Sequence, residues 1–131
     1  MTPTQPVSTD SVTASRRITA EVTSWAGVEA GPGRRGEFAF RVGRREVGHL
    51  HGDHAAHFSF PKALWAELIQ EGRIGPHPVF PNAQGPGARR IENEADVRDV
   101  IALMRLNYER LTAGGPRVSG APSTTTSGSA R

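Results

Sequence analysis

Four of the five histidines in this chain fall within nine residues, in the stretch GHLHGDHAAH: His49, His51, His54 and His57. The fifth, His77, stands between Pro76 and Pro78. Imidazole is both a base and an acid near neutral pH, and it is also a common metal ligand. On a β-strand the H-x-H spacing sets two rings on one side, about 6–7 Å apart along the strand. Three chemistries fit. His49, His51 and His77 could converge on a pocket as acid/base and orienting groups for a small substrate. The same pair with His77, Asp53 or His57 could hold zinc, iron or copper. Or the rings are hydrogen-bonded structural groups, with His54 and His57 solvated in a turn and Asp53 after Gly52 a turn former.

The flanking residues decide which way the rings point. EFAFRV alternates with Phe38, Phe40 and Val42 on one face, and REVGHLH alternates with Val47, His49 and His51 on one face. Gly43-Arg44 between them suits a two-residue hairpin turn. That turn pairs Val42 with Arg45, Phe40 with Val47 and Phe38 with His49, and sets Arg41 opposite Glu46 as a cross-strand ion pair. In this register His49 and His51 share the side of the phenylalanines, while Glu37 and Glu46 face outward, solvated or paired. Imidazoles on an apolar side must find partners or line a cavity, because an unsatisfied buried polar group costs about 1–3 kcal/mol.

The other elements follow from periodicity. Residues 16 to 25 combine a helical face (Ile18, Val22, Trp25) with β-branched alternation, and read as a short helix. GVEAGPGRRG is a loop around a short extended piece. HFSF reads as a third strand. Pro61 opens a helix to about Glu71 with Leu64, Trp65, Leu68 and Ile69 inward, Ser59 as its cap and Gly72 as its stop. GRIGPHPVFPNAQGPG is too rich in Gly and Pro for regular structure, so His77 sits on a stiffened loop. ARRIEN reads as one more strand. Asn93 caps a helix over 94–111, with Asp96 in a capping-box-like position and Val97, Val100, Ile101, Met104, Tyr108 and Leu111 along one stripe. Trp25 and Trp65 read as core.

The fold class is therefore α+β, a small antiparallel sheet with helices packed on one face, similar in layout to YjbR-like proteins. Residues 1–15 and 113–131 are Ser, Thr, Pro and Gly with little to bury, and read as disordered tails around one domain at 16–112. With no cysteine, thiolate nucleophiles, cysteine zinc sites and iron–sulfur clusters are excluded. No apolar run approaches a membrane span and no signal peptide opens the chain, so the expected location is cytoplasmic. The net charge of +3 comes from paired arginines spread along the chain among 13 acids. That pattern argues against a nucleic-acid partner and leaves a small-molecule ligand as the expected one. No serine sits in a nucleophile elbow.

The order hairpin, GHLHGD, FP plus helix, GPHPVFP and a last helix ending LNYERL resembles the short bacterial luciferase-domain proteins, which share their domain with fungal luciferases. Glu46, Gly48, His49, His51, Asp53, Phe60, Pro61, His77, Pro81, Asp96 and Tyr108 carry the resemblance, over roughly residues 36 to 111. It implies an oxygen-using oxidoreductase that acts on a hydroxylated, polyketide-like pyrone without a flavin, although the bacterial relatives have no defined function and a fold does not transmit a reaction. Two departures stand out. His57 occupies a place where relatives tend to carry an acid, and GPGARRI lacks the tryptophan that many carry on the strand before the last helix.

The expected site joins these readings: His49 and His51 as polar wall and base, His77 as gate or proton donor, Tyr108 as an orienting hydroxyl, and Phe38, Phe40 and Asp53 as substrate contacts. Neither a metal nor another cofactor is expected. The rival is a non-catalytic ligand-binding or protein-interaction module whose histidines are structural.

Overall fold

The computed structural model describes residues 13–33 and 37–113. The N- and C-terminal stretches read as tails lie outside these residues, apart from Thr13, Ala14, Ser15 and Ala113. Among the described residues there are three helices, α1 (Ala14–Val22), α2 (Lys62–Gln70) and α3 (Glu94–Ala113). Six strands accompany them: β1 (Val28–Pro32), β2 (Phe38–Val42), β3 (Arg45–His51), β4 (Ala55–Ser59), β5 (Gly75–Pro76) and β6 (Pro86–Arg90). They form one antiparallel sheet in the order β1-β2-β3-β4-β6-β5. The layout is α+β, as expected.

α1 begins two residues before the expected domain edge. Thr13 caps it by accepting from the Arg16 N–H, and Asp53, on the β3–β4 turn, accepts from the Ser15 N–H at 2.9 Å. A carboxylate at a helix N-terminus satisfies an orphan donor and complements the helix dipole. α2 starts after Pro61 with no side-chain cap, so Ser59 does not serve as one. Asn93 does cap α3, accepting from the Asp96 N–H at 2.9 Å.

The core lies between the helices and one face of the sheet: Ile18 and Val22 from α1, Phe40, Val47, Leu50, Ala56 and Phe58 from the strands, Leu68 from α2, and Val97, Val100, Leu103 and Met104 from α3. α3 presses hardest at Gly48, where a Cβ would stand 2.8 Å from Met104 Sδ and 3.1 Å from a Phe58 ring carbon. Only a residue without a side chain permits that approach.

The hairpin turn at Gly43-Arg44 forms, with Gly43 at φ 62° and Arg41 opposite Glu46 as expected. Beyond that pair the register departs from expectation. Phe40 pairs with Gly48, Ala39 with His49 and Phe38 with Leu50, because β3 carries one extra residue beside Phe40 and Arg41. Val47 is that bulged residue, and it joins Gly48 and Leu50 on the core face. One inserted residue reverses the parity of everything beyond it. His49 and His51 therefore point away from Phe38 and Phe40, onto the sheet face that carries no helix among the described residues. The expectation that they share the phenylalanine side is overturned.

A buried amide holds the bulge. Asn107 of α3 is fully buried. Its Nδ2 donates to the Val47 carbonyl at 2.9 Å and to the Ser59 carbonyl at 3.1 Å, and its Oδ1 accepts from Arg110 at 2.7 and 2.9 Å. A bulge strands a backbone carbonyl that the ladder would otherwise satisfy, and a buried carbonyl needs a donor.

Candidate functional site: a four-histidine hollow on the open sheet face

The helix-free face gathers four imidazoles. His49 and His51 alternate along β3, and His57 on β4 pairs directly with His49. Ring centroids are 5.0 Å apart for His49 and His51, 5.2 Å for His49 and His57, and 4.1 Å for His51 and His57. His77, just past β5, brings a fourth ring to 4.5 Å from His57. It arrives there because β5 lies against β6 and β6 against β4, with Ala88 paired to both Gly75 and His57. The rings border a hollow of about 210 Å³ whose remaining wall is Glu37, Val79 and Phe80. Val79 and Phe80 are 54 % and 50 % exposed. The Phe80 ring stands 5.3 Å from that of His77, so an apolar edge lies beside a polar floor.

Each ring is held differently. His49 donates from Nδ1 to Glu46 Oε2 at 2.6 Å, which leaves the lone pair on Nε2. His77 accepts at Nδ1 from the Val79 N–H at 3.1 Å, which assigns the proton of its neutral ring to Nε2. His57 is 7 % exposed, and its buried Nδ1 has no hydrogen-bond partner. Burial, together with the charges of His51, His77 and His49, pushes the His57 imidazole down to about 4, while Glu37 works in the opposite direction. Burial and His49 also lower His51 from its ordinary value. Both rings are thus neutral at neutral pH, with nitrogen lone pairs available.

The structure brings together His49, His51 and His77 of the expected site and adds His57, which the sequence offers both as a solvated turn residue and as an alternative metal ligand. Its signal was present: β4 begins at Ala55, so antiparallel pairing sets residue 57 across from His49. His54 does lie exposed in the turn. Glu37 and Glu46 face outward as expected, but outward is where the imidazoles are.

Four expected substrate contacts lie elsewhere. Phe40 is fully buried in the core. Phe38 is on the helix side, bordering a separate, mainly apolar hollow of about 500 Å³ with Ser15, Thr19, Ala20 and Leu50. Asp53 holds the start of α1. Tyr108 donates its hydroxyl to the Ala26 carbonyl at 2.7 Å and packs on Trp25 with centroids 5.3 Å apart, so it anchors α3 to the segment before β1. The bulge that turned the rings over separated them from Phe38 and Phe40, whereas Asp53 is taken up by the Ser15 N–H.

Among the described residues no helix is long and apolar enough to cross a membrane. No curated protein and no solved structure matches the chain. Residues 44–107, a span that holds all five histidines and ends on Asn107, match the family model of the luciferase domain.

Proposed function

We propose that the four-histidine hollow binds a small organic molecule and that the domain is an oxygen-using oxidoreductase of the luciferase-domain kind. The observation that carries this reading is the convergence of four imidazoles on one hollow, with a buried ring nitrogen, His57 Nδ1, lacking a partner. A polar atom left unsatisfied in a buried place is unusual, and a ligand group is one of the few things that satisfies it.

Size narrows the ligand. At about 210 Å³ the hollow is smaller than the roughly 300–1,000 Å³ of sites that enclose a drug-sized molecule. It suits one hydroxylated ring, with any longer substituent lying across Val79 and Phe80. A neutral imidazole takes the ring hydroxyl's proton, and a carbon of the resulting anion bonds to molecular oxygen, which is reduced to a peroxide anion that takes up a proton. His77, which carries its proton on Nε2, is placed to donate. Nothing in this scheme uses Tyr108 or Asp53, whose polar atoms are engaged elsewhere.

The test is oxygen uptake by the purified full chain with a hydroxylated pyrone as probe, compared with His57→Ala and His77→Ala. Uptake that falls at least tenfold in both variants supports the reading. Binding of the pyrone with no oxygen consumed points instead to a ligand-binding module, and neither binding nor uptake overturns the assignment.

A further inference from the structure

We propose that His49, His51 and His57 form a mononuclear site for a divalent first-row transition metal ion of the zinc or iron(II) type, open on the side of the hollow. This rests on the reading of the hollow as a site and departs from the expectation that the site is metal-free; with an ion bound, His49, His51 and His57 would be ligands and none of them the base of the metal-free scheme.

The first support is placement. One ligand nitrogen from each of the three residues can be chosen so that all lie within 4.8 Å of one another. Around one ion with metal–nitrogen bonds of about 2.0–2.1 Å, ligand atoms stand roughly 3–3.4 Å apart. Closing that gap would take movement of the rings, and His51, the exposed member, has the room to swing. Two ligands from alternate residues of one strand and a third from the directly paired residue of the next make a triangle on one face of a rigid sheet.

The second support is how the other ring atoms are engaged. The Glu46 carboxylate accepts from His49 Nδ1 and so turns Nε2 into the ligand atom, which is the carboxylate–histidine arrangement that orients metal-binding imidazoles. His57 brings the buried, unpartnered Nδ1. His77, by contrast, has Nδ1 occupied by the Val79 N–H and its proton on Nε2, so it acts as a donor next to the ion. The count is therefore three ligands, which leaves a position for water or substrate, as in metal sites that do chemistry.

The donor set selects the ion. Three neutral imidazoles, in a chain without cysteine, favour zinc, iron(II) or copper(II) over magnesium and calcium, which demand oxygen ligands.

The experiment uses the full chain without a histidine tag, stripped with chelator and titrated with Zn²⁺ or Co²⁺ in the absence of oxygen and of any organic ligand. Expected results are one ion per chain, visible d–d absorption from Co²⁺, and a raised melting temperature. His49→Ala, His51→Ala and His57→Ala should each weaken binding at least tenfold, and Glu46→Gln by about 10–100-fold. His54→Ala should bind like the parent, and Mg²⁺ should give no effect. His51 is exposed, so its variant folds even where that of His57 does not. Uptake below about a tenth of an equivalent, or equal weakening by His54→Ala, overturns the proposal. Because the readout needs no oxidation, metal uptake without pyrone turnover sinks only the functional reading, and turnover without metal sinks only this one.

Discussion

The amide of Asn107 donates to the backbone carbonyl of Val47 across 60 positions of sequence, at 2.9 Å. This bond ties the longest helix to the one residue in β3 that breaks the ladder register. Val47 is the reason that His49 and His51 face the open side of the sheet, so a helix residue with no contact to the hollow governs what the hollow contains.

Asn107→Leu should therefore cost more than an ordinary buried polar substitution. It leaves the Val47 and Ser59 carbonyls and the Arg110 guanidinium without their partner, a loss of about 2–4 kcal/mol. Urea unfolding reads the loss. The variant should also bind the pyrone and Co²⁺ more weakly, and unchanged binding would show that the bulge stands without the amide.

Gly48→Ala drives a methyl group against Met104 and Phe58. Met104 is flexible and yields part of the space, so a destabilisation of about 1–3 kcal/mol is expected. In a double-mutant cycle with Met104→Ala, which by itself empties core volume, the combined loss should be smaller than the sum of the two single losses, measured from urea midpoints.

Acid should weaken the fold through His57. Its imidazole titrates near 6.5 in the unfolded chain and at about 4 in the folded protein, where His49, His51 and His77 face it from β3 and the β5–β6 loop and Glu37 faces it from the start of β2. The folded value is depressed, so between these values the unfolded chain takes up a proton that the folded one does not. Stability is then full above about pH 6.5 and falls as pH drops toward 4. After solvent screening the loss is about 1–2 kcal/mol in metal-free protein. Unfolding curves at about pH 7.5 and about pH 4.5 should differ by this amount, and less in His57→Gln.

Tyr108→Phe removes one hydrogen bond to the Ala26 carbonyl and should cost about 1 kcal/mol of stability. Pyrone and Co²⁺ affinity should stay within twofold of the parent. A tenfold loss of affinity would return Tyr108 to the site.

Much of this architecture was legible because its signals are local. Alternating Phe38, Phe40 and Val42, the Gly43-Arg44 turn and the Asn93 cap each lie within a few residues of the structure they specify. The placement of His77 was legible only as a loop, since its approach to His57 depends on β6 lying between two other strands. The facing of His49 was misread because the bulge has no local signature. Its partner, Asn107, lies on another element, and Val47 is as good a strand residue in register as out of it. Phe38 shares that parity and so lies on the other face from the rings, whereas Tyr108 and Asp53 are drawn away by partners distant in sequence, the Ala26 carbonyl and the Ser15 N–H.

The helices and the imidazoles occupy opposite faces of one sheet, and the apolar rim of the hollow comes from the segment that bears Val79 and Phe80. What holds the domain together and what borders the hollow are thus written in different residues. Exchanges at 79 and 80 can reshape the rim of the hollow while Met104, Leu103 and Phe40 keep their places, so this scaffold can alter that face without losing its ability to fold.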